Sequence, residues 1–449
     1  MIRRMIRHVV AIALLCVVIG ACALPVAAQA TAASPLSTRL ASTSGRGGAA
    51  ASQQQSTLMS VPYLPRTWSQ FGFSPQHTGY NPYERTIGTW NVSQLAVKWA
   101  DETDVPSSAS FAVVSGNAYA ETDNGTFYAL DAATGALRWG ASVTSGSSIS
   151  TPAVVNGVLY FTASDGYLYA FNAAGCGAMT CAPLWKVYLQ NFQAVDPMVA
   201  NGVIYVGANF RSNIAAYNAT TGALLWSTPL NAGVAFFRAP ALANGVVYVG
   251  ADVLYAFNAS TGALLWTSTG SGDSAPTIAN GIVYEGAEDG TIFAYSAAGC
   301  GSATCSPLWQ ASAGTVHAWS LAVANGLLYV GTDDGNLDAF PAAGCGSATC
   351  SPTWTGHVSA QYEGITSSLS VANGVVYFGS SYGTLYAFKA AGCGSSTCNP
   401  LWTYATGGLI DSTPVVINGA IYLSVFNYGS NMDEKFYAFS VPTTPRGMP

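Results

Sequence analysis

Charge is what this sequence has least of: 8% of its 449 residues are Asp, Glu, Lys or Arg, and His occurs only 4 times. Without clustered cations it cannot neutralise a phosphate backbone, which excludes nucleic acid as a partner. No C-x-x-C-H haem motif occurs, and no Ser or Cys nucleophile sits in a recognisable elbow. Cys and His nowhere take zinc-ligand spacing, which needs four converging ligands. The one long apolar run, Val9 to Ile19, is short for a membrane span, and Pro25 follows it. In abundance stand hydrophobic residues (50%), Gly (48) and Tyr (24), which suit turn-rich β-structure rather than disorder or helical bundles.

Residues 1–30 carry Arg3, Arg4 and Arg7, the apolar run, then Ala28-Gln29-Ala30, the three parts of a secretory signal. Ile19-Gly20-Ala21-Cys22 also fits a lipobox, with Cys22 as the lipidated residue. Either way the expected location is secreted or cell-envelope, and any membrane attachment is through that N-terminal lipid alone. Residues 31–60 are rich in Ala, Ser, Thr and Gln with no apolar period, as expected of a flexible linker. Loss of the three leader arginines takes the net charge from −6 to −9.

From residue 61 to about 445 one unit repeats. Its ends are marked by Trp99, Trp139, Trp185, Trp226, Trp266, Trp309, Trp354 and Trp402, spaced by 40 to 48 residues. Four strands of about five residues plus turns need roughly 40 residues, so the period selects a propeller over a β-solenoid. In seven units Asn-Gly, such as Asn156-Gly157 or Asn373-Gly374, lies between apolar runs, and the first unit writes Ser115-Gly116 there. That dipeptide favours a type I′ hairpin, because both central residues need positive φ. It joins strands A and B; a second turn such as Asp289-Gly290 leads into strand C. The fourth unit has lost that turn and is expected to have the shortest B to C connection.

The C to D turn takes two forms. Three units write Asp131 to Gly135, Asn218 to Gly222 and Asn258 to Gly262, a side-chain-capped turn ending on Gly. Four write a longer loop with C-x4-C: Cys176 and Cys181, Cys300 and Cys305, Cys345 and Cys350, Cys393 and Cys398. In an exported chain these pairs read as four local disulfides, each stapling one edge. The last unit ends without a D strand, whereas Leu95 to Trp99 is a D strand without its own A to C. Pairing the two closes the ring. The expected fold is all-β, an eight-bladed propeller of four-stranded antiparallel blades, and closure hides its sheet edges.

Repeats of the form NGVVYVG…TLYAF…TGALLW resemble the PQQ-like propeller repeats of quinoprotein alcohol dehydrogenases and of an outer-membrane assembly lipoprotein. The likeness runs from about Trp68 to Val441, and Trp68-Ser-Gln-Phe-Gly72 with His77-Thr-Gly-Tyr-Asn81 is similar to the segment that often precedes such propellers. The Trp residues are, by this resemblance, blade-docking groups in catalytic and non-catalytic members alike. For a catalytic member it implies PQQ held against a ring of adjacent cysteines, a calcium ion on Glu, Asn and Asp, and an Asp base. No two cysteines are adjacent here. The expectation is therefore a non-catalytic binding or assembly scaffold, acting as a monomer on an unknown protein or small-molecule ligand, with no cofactor and no catalytic residue. The alternative is a divergent dehydrogenase or sugar oxidase using PQQ with calcium.

D to A and B to C connections share one face of such a ring. That face collects Asp101, Asp104, Asp196, Arg238, Asp273, His317, Trp319, Glu363 and Asp411. The ligand-binding candidates are Arg238, Asp273, His317, Trp319, Glu363 and Asp411, Arg238 standing beside Phe236 and Phe237 where a cation among aromatics can orient an anionic or planar ligand. Asp333-Asp334-Gly335-Asn336-Leu337-Asp338 falls short of an EF-hand pattern, so no metal site is assigned.

Overall fold

The computed structural model of the protein describes residues 67–103, 110–122, 125–143, 150–189, 195–208, 213–230, 238–314, 316–358, 363–426 and 434–442. The expected leader and linker lie outside these residues. Eight sheets follow in chain order as blades 1 to 8, each with strands A to D. Blade 8 consists of Val415–Ile417, Ala420–Val425 and Glu434–Ser440, and Ala96–Thr103 completes it as strand D, antiparallel to Glu434–Ser440 with Trp99 opposite Ala438. The A strands touch their neighbours in turn, and that of blade 8 touches that of blade 1, so the ring is closed.

The turns follow their residue types. Asn156 and Gly157 have φ of 52° and 78°, the left-handed pair of a type I′ turn, and the other Asn-Gly turns match them. The B to C connection of blade 4 is Ala251 to Val253, a length shared with blades 1 and 6.

Two side-chain belts join blade to blade. The D-strand Trp of one blade lies on the Gly of the next blade's C to D turn; a Cβ on Gly175, for instance, would stand 2.8 Å from Trp139. The B-strand Tyr of each blade reaches across the same seam: Tyr248 donates to the Ala297 carbonyl at 2.5 Å, Tyr284 to Ala342 at 2.8 Å, and Tyr422 to Ala132 at 2.9 Å across the closing seam. Blade 8 has no C to D turn to receive blade 7. Ile87, Val92 and Leu95 fill that place instead, and the Tyr377 hydroxyl, pointing there, has no partner.

All four C-x4-C pairs are closed, with Cα atoms 5.6 to 5.7 Å apart. Their loops do more than staple one edge. Thr304–Cys305, in the blade 5 loop, pairs in parallel with Leu264–Ser268, strand D of blade 4. Thr349–Cys350 and Thr397–Cys398 do the same to blades 5 and 6, and Thr180 bridges Gly140 of blade 1. Each loop thus covers the outer edge of the preceding blade.

Candidate functional site

The inner ring is lined by a segment that the strand pattern does not reveal. Trp68 to Asn81 passes the A strands in blade order, and at each blade it meets the last but one residue of strand A. Trp68 and Val113 exchange both backbone bonds, and then the amides of Val154, Val199, Leu242, Ile278, Val323 and Val371 donate to Ser69, Gln70, Pro75, Gln76, Thr78 and Gly79 in succession. Asn81 finishes the circuit by donating from Nδ2 to the Val416 carbonyl at 2.8 Å. These innermost amides would otherwise be unpaired edge groups. His77 is buried in this cord, its ring edge-on to Phe71 and bonded to the Pro276 carbonyl, and burial pushes its pKa down to about 3. It is a neutral structural group.

The cord leaves the ring on the side of the A to B turns, where Glu84 Oε2 accepts the Gly419 amide at 3.0 Å and Asn373 donates to the Ile87 carbonyl at 2.9 Å. The opposite face, built from D to A and B to C connections, is the candidate ligand face. Its chemistry is one-sided. Among the described residues it carries fourteen acidic side chains: Asp101, Glu121, Asp165, Asp196, Asp252, Asp273, Glu285, Glu288, Asp289, Asp333, Asp334, Asp338, Glu363 and Asp411. Three basic ones accompany them: Arg238, Lys435 and Lys186, whose Nζ lies 4.6 Å over the Tyr167 ring at the start of strand C of blade 2. At the cord side Glu84 and Asp131 stand with Arg85, Lys98, Arg138 and Lys389.

The ligand-binding candidates named from the sequence fall into distinct environments. Arg238 Nε donates to the Asp273 carbonyl at 2.8 Å, tying the loop before blade 4 to the loop before blade 5. Burial lowers its pKa, while Asp273 and Glu288 oppose that shift. Asp273 Oδ2 accepts the Glu288 amide at 3.1 Å. Glu363 is committed elsewhere: its buried carboxylate accepts the Ser380 hydroxyl at Oε1 and the Tyr386 hydroxyl, 3.0 Å away, at Oε2. Asp411 is half-buried in the loop before blade 8, three blades from Asp273. His317 and Trp319 belong to the strand Val316–Ala324 rather than to a loop, and their side chains, like Phe236, Phe237 and Asp104, lie outside the described residues. Asp196 accepts the Thr151 amide at 2.7 Å, yet burial raises its pKa to about 6.

Strand alternation alone does not single out Glu285. It is on strand B of blade 5, Ile282–Gly286, at a position where the other blades carry Ala120, Phe161, Val206, Val249, Val330, Phe378 and Leu423. Comparing the repeats position by position exposes it. It is fully buried, and neither carboxylate oxygen has a hydrogen-bond partner. The carboxyl is wedged between backbones: a Cβ on Gly250 would lie 2.6 Å from Oε1, and one on Gly272 2.5 Å. Burial, with Asp273 adding to it, raises its pKa well above the usual carboxylate range.

A PQQ site of the kind the repeats imply needs adjacent cysteines at the ligand face. The eight described cysteines are instead closed within the C to D loops, at the other end of the blades. That part of the site does not fit.

Comparison with known proteins agrees with this architecture. A family model described as outer membrane protein assembly factor BamB matches residues 88–177 and 210–443. The dehydrogenase subunit of a quinone alcohol dehydrogenase from Gluconobacter oxydans is 30% identical over 190 residues, which are 36% of this chain and 24% of that protein. Its counterpart from Komagataeibacter europaeus is 28% identical over 199 residues, 39% of this chain and 26% of that protein. The matches thus span about a quarter of those relatives' length. Among solved structures, a quinohemoprotein alcohol dehydrogenase from Pseudomonas putida HK5 superposes with a TM-score of 0.66 at 15% identity, covering 86% of this chain and 81% of that one. BamB from Moraxella catarrhalis gives 0.59 at 17%, covering 76% and 97%. At such identities the structural likeness concerns the fold. With the family model matching well over half its length, the chain belongs to the PQQ-like β-propeller family of the assembly factor BamB.

Proposed function

We propose that the chain is an exported, non-catalytic propeller that serves as a binding or assembly scaffold through its D to A and B to C face. The observation that carries this reading is the placement of the cysteines: a quinoprotein's adjacent pair has no counterpart at that face, and the C-x4-C pairs work as edge covers. Four disulfides also accord with an oxidising compartment outside the cytoplasm. Calorimetric titration with PQQ and calcium, followed by a dye-reduction assay on alcohols and sugars, tests it. Neither binding nor turnover is expected; tight PQQ binding with dye reduction would overturn the scaffold reading.

The 30% identity to an alcohol dehydrogenase subunit favours a second reading, a divergent PQQ- and calcium-dependent dehydrogenase or sugar oxidase. On that reading Asp273 and Asp411 are the groups whose substitution must change turnover. Intact-mass measurement of the exported chain separates an N-terminus at Thr31 from a lipidated Cys22.

A further inference from the structure

We propose that the acidic sector spanning blades 4 to 6 of the ligand face docks a lysine- and arginine-rich segment of a partner protein, with Glu285 as the buried counter-charge beneath it. The proposal rests on the scaffold reading and names its class of partner.

Among the described residues, the fully exposed carboxylates of this face stand on three consecutive blades. Asp252 is in the B to C connection of blade 4, Glu288 and Asp289 in that of blade 5, and Asp333 and Asp334 in that of blade 6; all five are exposed. Asp273 stands among them. Arg238 is the one cation of the sector among the described residues. Like charges on three consecutive blades repel one another and create a field that draws in cations. A single metal ion cannot answer this arrangement, because among the described residues no three acidic, His or Cys groups converge to hold one. A partner with several cations at polypeptide spacing can meet carboxylates on successive blades.

Glu285 points to the same ligand independently. An acid replaces an apolar residue at a blade seam and takes no hydrogen bond inside the protein. What covers it is the loop from Gly270 to Ser274, with Gly270 and Gly272 where side chains would clash and Ser271 exposed. The charged and titratable groups around it are Asp273 in that loop and Tyr295 on strand C, and the Glu288 amide holds Asp273 in place. Tyr295 Oη is itself occupied by the Gly270 amide at 3.2 Å. Arg238, the described cation of the sector, donates to the Asp273 carbonyl, and neither oxygen of Glu285 has a hydrogen-bond partner. A cation held at the sector supplies the missing counter-charge: the carboxyl O–H bond breaks, the negative charge stays on Glu285, and the proton passes to solvent.

The test is titration calorimetry of the full exported chain with a decalysine peptide, at about 20 mM and about 300 mM NaCl, where screening lengths differ severalfold. Runs in two buffers of different ionisation heat count the protons released. Expected are binding at low salt that weakens at least roughly tenfold at high salt, and a comparable loss in the D333N/D334N variant. D131N, on the opposite face, is expected to bind as the wild type does. E285Q is expected to bind without the proton release of the wild type. Absence of binding at low salt, an equal loss in D131N and D333N/D334N, or equal proton release by wild type and E285Q would overturn the proposal. Dye reduction with PQQ would refute the scaffold reading without touching this result, so the two can fail separately.

Discussion

Replacing Glu285 by Val should make the protein more stable, and increasingly so as pH rises. Val already occupies the equivalent place in blades 3, 4 and 6 as Val206, Val249 and Val330. A buried polar group left without a partner costs about 1–3 kcal/mol. Removing it and burying an aliphatic side chain, itself worth about 1.5 kcal/mol or more, sets an expected gain of about 2–4 kcal/mol after some loss to imperfect packing. The pH dependence has a definite sign. The folded-state pKa of Glu285 lies well above 4.5, so the protonated acid is fully accommodated below the unfolded value and that accommodation is lost as pH rises towards the raised one. The wild type should therefore weaken relative to E285V between about pH 5 and pH 8. E285Q, which cannot ionise but stays polar, should fall between the two. Urea unfolding followed by Trp fluorescence at both pH values measures the difference, with the slope m checked for constancy. A variant no more stable than wild type at the higher pH, or a gap that does not change with pH, would refute the reasoning. If E285V gains stability while losing decalysine binding, the acid is retained for function at the expense of the fold.

The cord makes a second prediction: Gln70→Ala strands the buried Val199 amide and should lower stability by about 1–3 kcal/mol, read as a shift in the unfolding midpoint. At the closing seam, Tyr422→Phe removes a bond to the Ala132 carbonyl and should cost about 1 kcal/mol, whereas Tyr377→Phe removes a hydroxyl with no partner and should be neutral or stabilising. A melting comparison in which both substitutions cost the same would contradict the belt. For the disulfides, C300S/C305S should cost no more than about 2 kcal/mol, since the loop is small. Its signature should be faster hydrogen exchange in the neighbouring blade, at the Thr267 and Thr269 amides that donate to Ala303 and Cys305. Exchange confined to blade 5 would show that the loop does not cover blade 4.

Features governed by short-range chemistry were legible in the sequence. Asn-Gly between apolar runs specifies a hairpin wherever it stands, C-x4-C in an oxidising compartment closes on itself, and a solitary D strand at one end must complete the unit lacking one at the other. The cord was not legible, because its bonds to the A strands are almost all made by backbone atoms, to which residue type is indifferent. The cysteine loops likewise disclosed their disulfides but not their pairing with the preceding blade. At the ligand face, Glu363 has the look of a loop acid free for a ligand, yet Ser380 and Tyr386 claim it. Glu285 has the look of one more polar residue in a strand.

Eight blades, their strand order, their turns and their closure follow from the sequence alone, since all of these repeat at a period that local turn chemistry enforces. The state of each acid does not follow from it, because burial and partners come from neighbouring blades distant in the chain and exist only once the ring has formed. Glu121, Glu285 and Glu363 are all buried acids of one face, and among them Glu285 is left with neither oxygen bonded because blade 4 offers it only the backbones of Gly250 and Gly272.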